Sequence, residues 1–206
     1  LALTAGSSPK RTYEILVERL RAVQFDQSLA HFYNFDEISL KDQADGLTMQ
    51  ALMQELFQPL GIEDENIEVL DAENYQDYDY QIAEAGGLDL VLMGIGEDGH
   101  FCGNLPGFTS FDYGVYRVPI APGDDLYQLL DQATPHTPGT EMVTFGPQTV
   151  LAAKELVLIA NGKKKAAIIK QALEGPITED VPASVLRLHP NLTVILDQEA
   201  ASELTE

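Results

Sequence analysis

The chain has 206 residues, 45% of them hydrophobic, which is enough to fill a real core and excludes a peptide scaffold or a disordered tail. Thirty-three Asp and Glu against twelve Lys and Arg leave a formal charge of -21, so the molecule repels nucleic acid and anionic membrane surfaces and neither is expected as a partner. One cysteine, Cys102, allows neither an internal disulfide nor a thiolate metal cage, no apolar run approaches the roughly 20 residues that span a bilayer, and no charged-then-apolar signal opens the chain; a soluble protein of the reducing cytoplasm is expected.

In chain order, residues 1–5 read as a short apolar strand running straight into Gly6-Ser7-Ser8-Pro9, an abrupt opening from which we expect residues upstream of Leu1 to have been lost. The apolar spacing then predicts a helix over 9–23, a strand over 31–35, helices over 48–57 and 75–85, and a strand over 88–95 that is apolar almost throughout. Strands follow over 115–120 and 142–145, a helix over 147–153, a strand over 156–160, helices over 163–173 and 182–187, and a last strand over 192–196. Such alternation describes an α/β fold, a single-domain three-layer sandwich whose mostly parallel sheet is covered by helices on both faces. No internal repeat, low-complexity tract or Gly/Ser linker divides residues 1–206. The stretch 107–139 holds four of the eleven prolines and is expected to be an irregular segment, either a lid or an ordered surface excursion. The acidic run 63–79 reads as a solvated surface.

Four strand ends carry residues suited to chemistry, and in open parallel sheets that is where ligands gather. Gly6-Ser7-Ser8-Pro9 offers close backbone approach, two hydroxyls and a helix start, a pattern that serves equally as a phosphate cradle or as an ordinary N-cap; it lacks Walker spacing. Asn34-Phe35-Asp36-Glu37 places carboxylates after an apolar strand, where Asp36 either acts as a general base or caps the next segment. Gly94-Ile95-Gly96-Glu97-Asp98-Gly99-His100 turns a buried strand sharply and sets Asp98 beside His100, so that a carboxylate can fix the tautomer of a proton-shuttling imidazole. His31, His136 and His189 lack such company and are read as structural. Lys163-Lys164-Lys165 begins a helix at the end least favourable to cations, which an anionic ligand would explain; Lys163 and Lys164 are expected to be solvated.

Together these residues resemble the glucosamine-6-phosphate deaminase/isomerase and 6-phosphogluconolactonase superfamily over nearly the whole chain. Residues 94–100 are similar to its G-x-G-x-D-G-H signature, Gly6-Ser7-Ser8-Pro9 to its substrate-phosphate loop, and Asn34-Phe35-Asp36-Glu37 to the N-x-D-E stretch of the deaminases. Leu188-His189-Pro190 is similar to a deaminase C-terminal segment, and Lys165 sits where the deaminases place a phosphate-binding lysine. The resemblance implies an α/β sandwich, with Gly6, Ser7, Ser8 and Lys165 holding the phosphate of a hexose 6-phosphate. It further implies that Asp36 takes the C2 proton of an open-chain amino sugar, His100 assists ring opening and Asp98 orients His100. No metal or organic cofactor is implied.

Two positions depart from the deaminases: Leu105 stands where they carry a relay glutamate, and Gln128 where they carry a second phosphate-binding arginine, for which Arg117 is the available substitute. The lactonase branch shares the signature and a similar phosphate loop, with His100 as base for a water attacking a sugar-phosphate lactone, but it typically carries an arginine after the D-E pair where Ile38 stands. A non-catalytic sugar-phosphate-binding protein is the remaining alternative.

Overall fold

The computed structural model describes residues 1–6, 8–23 and 26–205. Among these residues nine strands are distributed over two sheets. β1 (Ala2–Leu3), β2 (Phe32–Asn34), β4 (Ile67–Glu68), β5 (Leu90–Met93), β8 (Glu155–Ala160) and β9 (Leu192–Leu196) form an all-parallel sheet in the order β4-β2-β1-β5-β8-β9. β3 (Asp36–Leu40), β6 (Tyr116–Pro119) and β7 (Pro138–Thr144) form a second, antiparallel sheet in the order β3-β7-β6. The helices are α1 (Lys10–Val23), α2 (Leu47–Leu52), α3 (Gln58–Leu60), α4 (Tyr78–Glu84), α5 (Asp125–Ala133), α6 (Pro147–Leu151) and α7 (Ala166–Glu174), and a π-helical turn, Met53–Phe57, joins α2 to α3.

Period-two alternation decides what each face of the parallel sheet buries. Leu3, Phe32 and Leu92 point to one side and pack with Tyr13 of α1 and with Met49, Leu52, Leu56 and Phe57 from the helix that follows β3. Ala2, Tyr33, Val91 and Met93 point to the other and pack with Tyr78, Ile82, Val150, Ile169 and Ala172 from α4, α6 and α7. A third, smaller core joins Ile38, Val118, Ile120 and Met142 of the antiparallel sheet to Leu126 and Leu130 of α5. The expected sandwich, with helices on both faces of a parallel sheet, is therefore the fold.

Three local expectations need correction. The strands expected over 115–120 and 142–145 do not extend the parallel sheet; with β3, which was not anticipated, they make the separate antiparallel one. The segment 107–139 is not irregular throughout, since it contains β6 and α5. Residues 182–188 form a 3-10 helix, Pro182–Leu188, rather than an α-helix. The acidic stretch is largely exposed, as expected, although Asp79 braces a neighbouring loop by accepting from Val115 N at 2.7 Å.

One contact fixes how β3 meets the following helix. Glu37 is 4% exposed, and its carboxylate accepts hydrogen bonds from the backbone N–H groups of Ile38 (2.9 Å), Thr48 (2.9 Å) and Met49 (3.0 Å) and from the Asn34 amide (3.2 Å). Burial pushes its carboxyl up to about 8 even though the backbone donors act to lower it. The space they enclose leaves no room for a side chain at position 46, where a Cβ would collide with the Glu37 carboxyl and lie 2.6 Å from Ile38 O. Gly46→Ala is therefore expected to cost about 1–3 kcal/mol by overpacking, seen as a fall of several degrees in Tm by thermal denaturation; an unchanged Tm would contradict this reading.

Candidate active site

The central pair β1 and β5 is the point at which the parallel sheet changes direction. From β1 the chain builds outward through α1 to β2, and from β5 it builds the other way towards β8 and β9. Their outgoing loops diverge and leave a crevice at the C-terminal ends of the strands. A cavity of about 660 Å³ occupies it, within the range of small-ligand sites.

The loop after β1 supplies Thr4, Ala5 and Ser8 to the cavity wall. Gly6 has φ +104, a left-handed conformation that a side chain would strain, and it lines a second lobe of about 390 Å³ that shares Thr4, Ala5, Asp36, His100, Cys102, Leu105 and Leu126 with the first. Tyr13 of α1 steadies this loop by donating to Thr4 O at 2.6 Å. Ser7 lies outside the described residues.

The loop after β5 supplies the most polar wall. Gly96 N donates to His100 O at 2.8 Å and Gly99 N to Gly96 O at 3.1 Å, closing a tight turn, with Gly99 at φ +91. Inside the turn the His100 Nδ1 lies 2.7 Å from Asp98 Oδ1, and the same oxygen accepts from His100 N at 3.1 Å. A Cβ on Gly96 would collide with Nδ1 of His100 and lie 2.5 Å from Oδ1 of Asp98, so the turn that brings the two together requires glycine there. Burial acts to raise the Asp98 carboxyl, but the His100 hydrogen bonds and the turn outweigh it and hold the group below its ordinary value. An ionised Asp98 keeps the proton of the neutral ring on Nδ1 and leaves Nε2 for a ligand.

Asp36 enters from the second sheet. It is the first residue of β3, paired with Thr144 of β7, and is separated from the end of β2 by Phe35 alone. Burial pushes its carboxyl up to about 6, against a hydrogen bond from the Thr48 hydroxyl (2.9 Å) and the neighbouring His100, both of which act to lower it. The alternative role of capping the next segment belongs instead to Glu37, which receives the N–H groups of Thr48 and Met49 at the start of α2.

Lys165 completes the cavity. It ends a 3-10 turn, Lys163–Lys165, ahead of α7, and its Nζ donates to Ile95 O at 2.6 Å. Burial lowers its ammonium pKa, with Glu97 and Asp98 opposing. Lys163 and Lys164 are exposed and away from the cavity wall, as expected. Arg117 does not supply the second cation: it pairs with Glu141 at 3.1 Å and stacks over the Tyr75 ring, and neither it nor Gln128 lines the cavity. Leu105 does, with Leu126 and Leu129 of α5.

Of the other histidines, His189 is buried, with Nε2 against Ala153 O at 2.8 Å and Nδ1 accepting from Asn191 N at 3.1 Å. A carbonyl only accepts and an amide only donates, so the ring is the neutral Nε2–H tautomer and acts as a structural staple. His31 pairs with Glu68, and neither His31 nor His136 touches the cavity. Two residues went unanticipated. Cys102, at φ 48, has its thiol pushed up by burial and by Asp36; Thr48 could be read only as a helix start. Among the described residues no cluster of three His, Cys, Asp or Glu side chains is placed to hold a metal ion, and no helix is long and apolar enough to cross a membrane.

Residues 1–195 match the model of the family described as glucosamine-6-phosphate isomerases/6-phosphogluconolactonase. A glucosamine-6-phosphate deaminase from Shouchella clausii is 34% identical over 215 residues, an alignment covering 100% of the chain and 86% of that relative. The corresponding deaminase from Rhodopirellula baltica is 35% identical, with 99% and 84% covered. Among solved structures, a monomeric glucosamine-6-phosphate deaminase superposes with a TM-score of 0.85 at 30% identity, covering 99% of this chain and 86% of its own. A 6-phosphogluconolactonase from Trypanosoma cruzi shares the fold, with a TM-score of 0.75 at 24% identity and coverage of 100% and 85%.

The raised Asp36 carboxyl has a consequence for stability. Between its unfolded value near pH 4 and its folded value of about 6 the native state holds a proton that the unfolded chain has released, so stability falls as pH rises through that window. Asp36→Asn removes the penalty. Its Tm is expected to exceed that of the wild type at about pH 8 by the equivalent of about 1–3 kcal/mol, with the two converging near pH 4. A variant less stable than the wild type at pH 8 would contradict the assignment.

Proposed function

Because the chain belongs to the glucosamine-6-phosphate isomerase/6-phosphogluconolactonase family, we propose that it is a single-domain cytoplasmic enzyme that converts an amino-hexose 6-phosphate and water to a ketose 6-phosphate and ammonia. The observation that carries this reading is that Asp36, the His100–Asp98 pair, Ser8 and Lys165 all line one cavity. Its size suits a six-carbon sugar phosphate held at both ends.

Each residue has a task that its surroundings fit. Lys165, with Gly6 and Ser8 of the loop after β1, grips the phosphate and so fixes the far end of the sugar. His100 takes the proton of the anomeric hydroxyl on Nε2 and delivers it to the ring oxygen as the ring opens, and Asp98 holds its tautomer through the 2.7 Å contact. Asp36 then removes the proton from C2. A carboxyl pushed up to about 6 is a better base than one at its ordinary value, yet is still largely ionised near neutral pH. These steps move protons and need no cofactor. The relatives named as glucosamine-6-phosphate deaminases, about a third identical over the whole chain, support this substrate class. The single, buried Cys102 supports the cytoplasmic setting.

Lactone hydrolysis is the second reading, favoured by Leu105, which brings an apolar side chain to the cavity where the deaminase pattern has a carboxylate. There His100 would deprotonate a water.

Assay of ammonia release from glucosamine 6-phosphate and galactosamine 6-phosphate separates the readings. Ammonia is the expected product; acid from 6-phosphogluconolactone without ammonia would replace the first reading by the second, and sugar-phosphate binding with neither product would leave a binding protein. His100→Ala is expected to lower kcat by about 10²-fold or more through loss of the proton carrier. Lys165→Ala is expected to raise KM by about tenfold with a smaller effect on kcat, because a charge-assisted contact to an unreacting group is removed. Near-wild-type turnover in a folded His100→Ala variant would sink the mechanism.

A further inference from the structure

Asp36 reaches the cavity from β3, and the hydrogen-bonding partner of its carboxylate among the described residues comes from a different element: the Thr48 hydroxyl of α2 donates to Oδ1 at 2.9 Å. Thr48 has little freedom to do otherwise. It is 6% exposed, and its own N–H is held by Glu37 Oε1 at 2.9 Å. Glu37 in turn is tied through Oε2 to Met49 N (3.0 Å) and to the Asn34 amide (3.2 Å). Asn34, fully buried, accepts from Leu70 N at 2.8 Å and donates to Leu70 O at 3.1 Å, which anchors the chain of contacts on the loop beyond β4. A buried acidic side chain, a buried amide and a glycine without room for a Cβ are thus all committed to holding one hydroxyl against one carboxylate oxygen.

We propose that Thr48 is the positioning residue for Asp36: its hydroxyl occupies Oδ1, fixes the plane of the carboxylate and reserves Oδ2 as the oxygen that accepts the substrate proton. The inference rests on the reading of Asp36 as the base and adds what makes that base directional. A threonine hydroxyl has one hydrogen to give. With it given to Oδ1, the lone pairs of Oδ2 are the ones presented to a ligand, and a carboxylate that cannot rotate does not have to be ordered again as the transition state forms. The other titratable groups around Asp36 are His100 and Cys102 from the loop after β5, Glu37 on its own strand, and Glu55 of the π-helical turn, which lines the same lobe. None of these occupies either carboxylate oxygen by a hydrogen bond in this structure. Losing the Thr48 donor removes a contact that favours the ionised carboxylate, so Asp36 would hold its proton to higher pH.

The test compares Thr48→Val, which keeps the shape and deletes the donor, with Thr48→Ser, which keeps the donor, and with Asp36→Asn, each in the ammonia-release assay from pH 5 to 9. The acid limb of kcat is expected to move up by about 0.5–1 pH unit in Thr48→Val, kcat near pH 6 to fall by about tenfold, and KM to stay within about twofold. Thr48→Ser is expected to restore the wild-type limb. A folded Thr48→Val variant with the wild-type limb and kcat would overturn the inference, as would a Thr48→Ser variant that behaves like valine. Should valine prevent folding, Thr48→Ala carries the same expectation with less bulk. An independent readout is Tm against pH, which should fall more steeply above pH 5 in Thr48→Val than in the wild type. Asp36→Asn separates the failures: if it retains turnover, the base assignment itself is wrong, whereas an inactive Asp36→Asn beside an unaffected Thr48→Val removes the positioning role alone.

Discussion

Two adjacent parallel strands that send their chains to opposite sides of a sheet cannot fill the space between their outgoing loops, and this geometric constraint organises the molecule. β1 is paired with β5 through Ala2 and Val91, yet the helices that follow β1 and β3 pack with one face of the sheet and α4, α6 and α7 with the other. Right-handed connections leave no alternative once the strand order is set. The crevice that results receives Ser8 from one loop and Asp98 and His100 from the other, and the route from β8 to α7 brings Lys165 to its edge. Residues distant in sequence become neighbours because the strands preceding them end at the same level.

The antiparallel sheet adds what the crevice lacks. β2 ends at Asn34, and Phe35 carries the chain into β3, where Phe145 N donates to Phe35 O at 2.7 Å. The transfer from one sheet to the other places Asp36 at the seam between them. The same seam anchors the far side of the signature loop, since Gly103 N donates to the Thr144 hydroxyl at 2.8 Å and the buried Asn104 amide reaches Phe145 O at 2.8 Å. Thr144 pairs with Asp36 across the ladder. Asp36 and the loop that carries His100 are therefore both tied to the short stretch Thr144 and Phe145 at the end of β7.

What could be read from the chain beforehand follows the same division. The parallel strands and their helices were legible because strands buried on both faces are continuous apolar runs and the intervening helices repeat with a different period. The signature turn was legible because three glycines around an acidic pair and a histidine have few other uses. β3 was not, because Asp36-Glu37-Ile38-Ser39-Leu40 presents polar residues where a strand pattern calls for apolar ones; its polar members are satisfied by partners on α2 that only the tertiary fold supplies. α5 was obscured by the prolines on either side of it, at 119, 122, 135 and 138. The part played by Thr48 left no separate signal, since a hydroxyl at a helix start is explained well enough by the helix itself. Arg117 was misjudged for the opposite reason: a lone cation invites a ligand, but Glu141 and the Tyr75 ring already engage it.

Lys165 is the one lysine or arginine among the described residues lining the cavity, set within a chain of net charge -21 and a short distance from Glu97 and Asp98. An approaching dianion would meet repulsion until the last few ångströms, where the lysine and the backbone of the first loop take over. Dissolved electrolyte shields the long-range repulsion more than the short-range grip, so capture should quicken with moderate ionic strength, the reverse of the familiar case in which opposite charges draw an enzyme and its ligand together from afar.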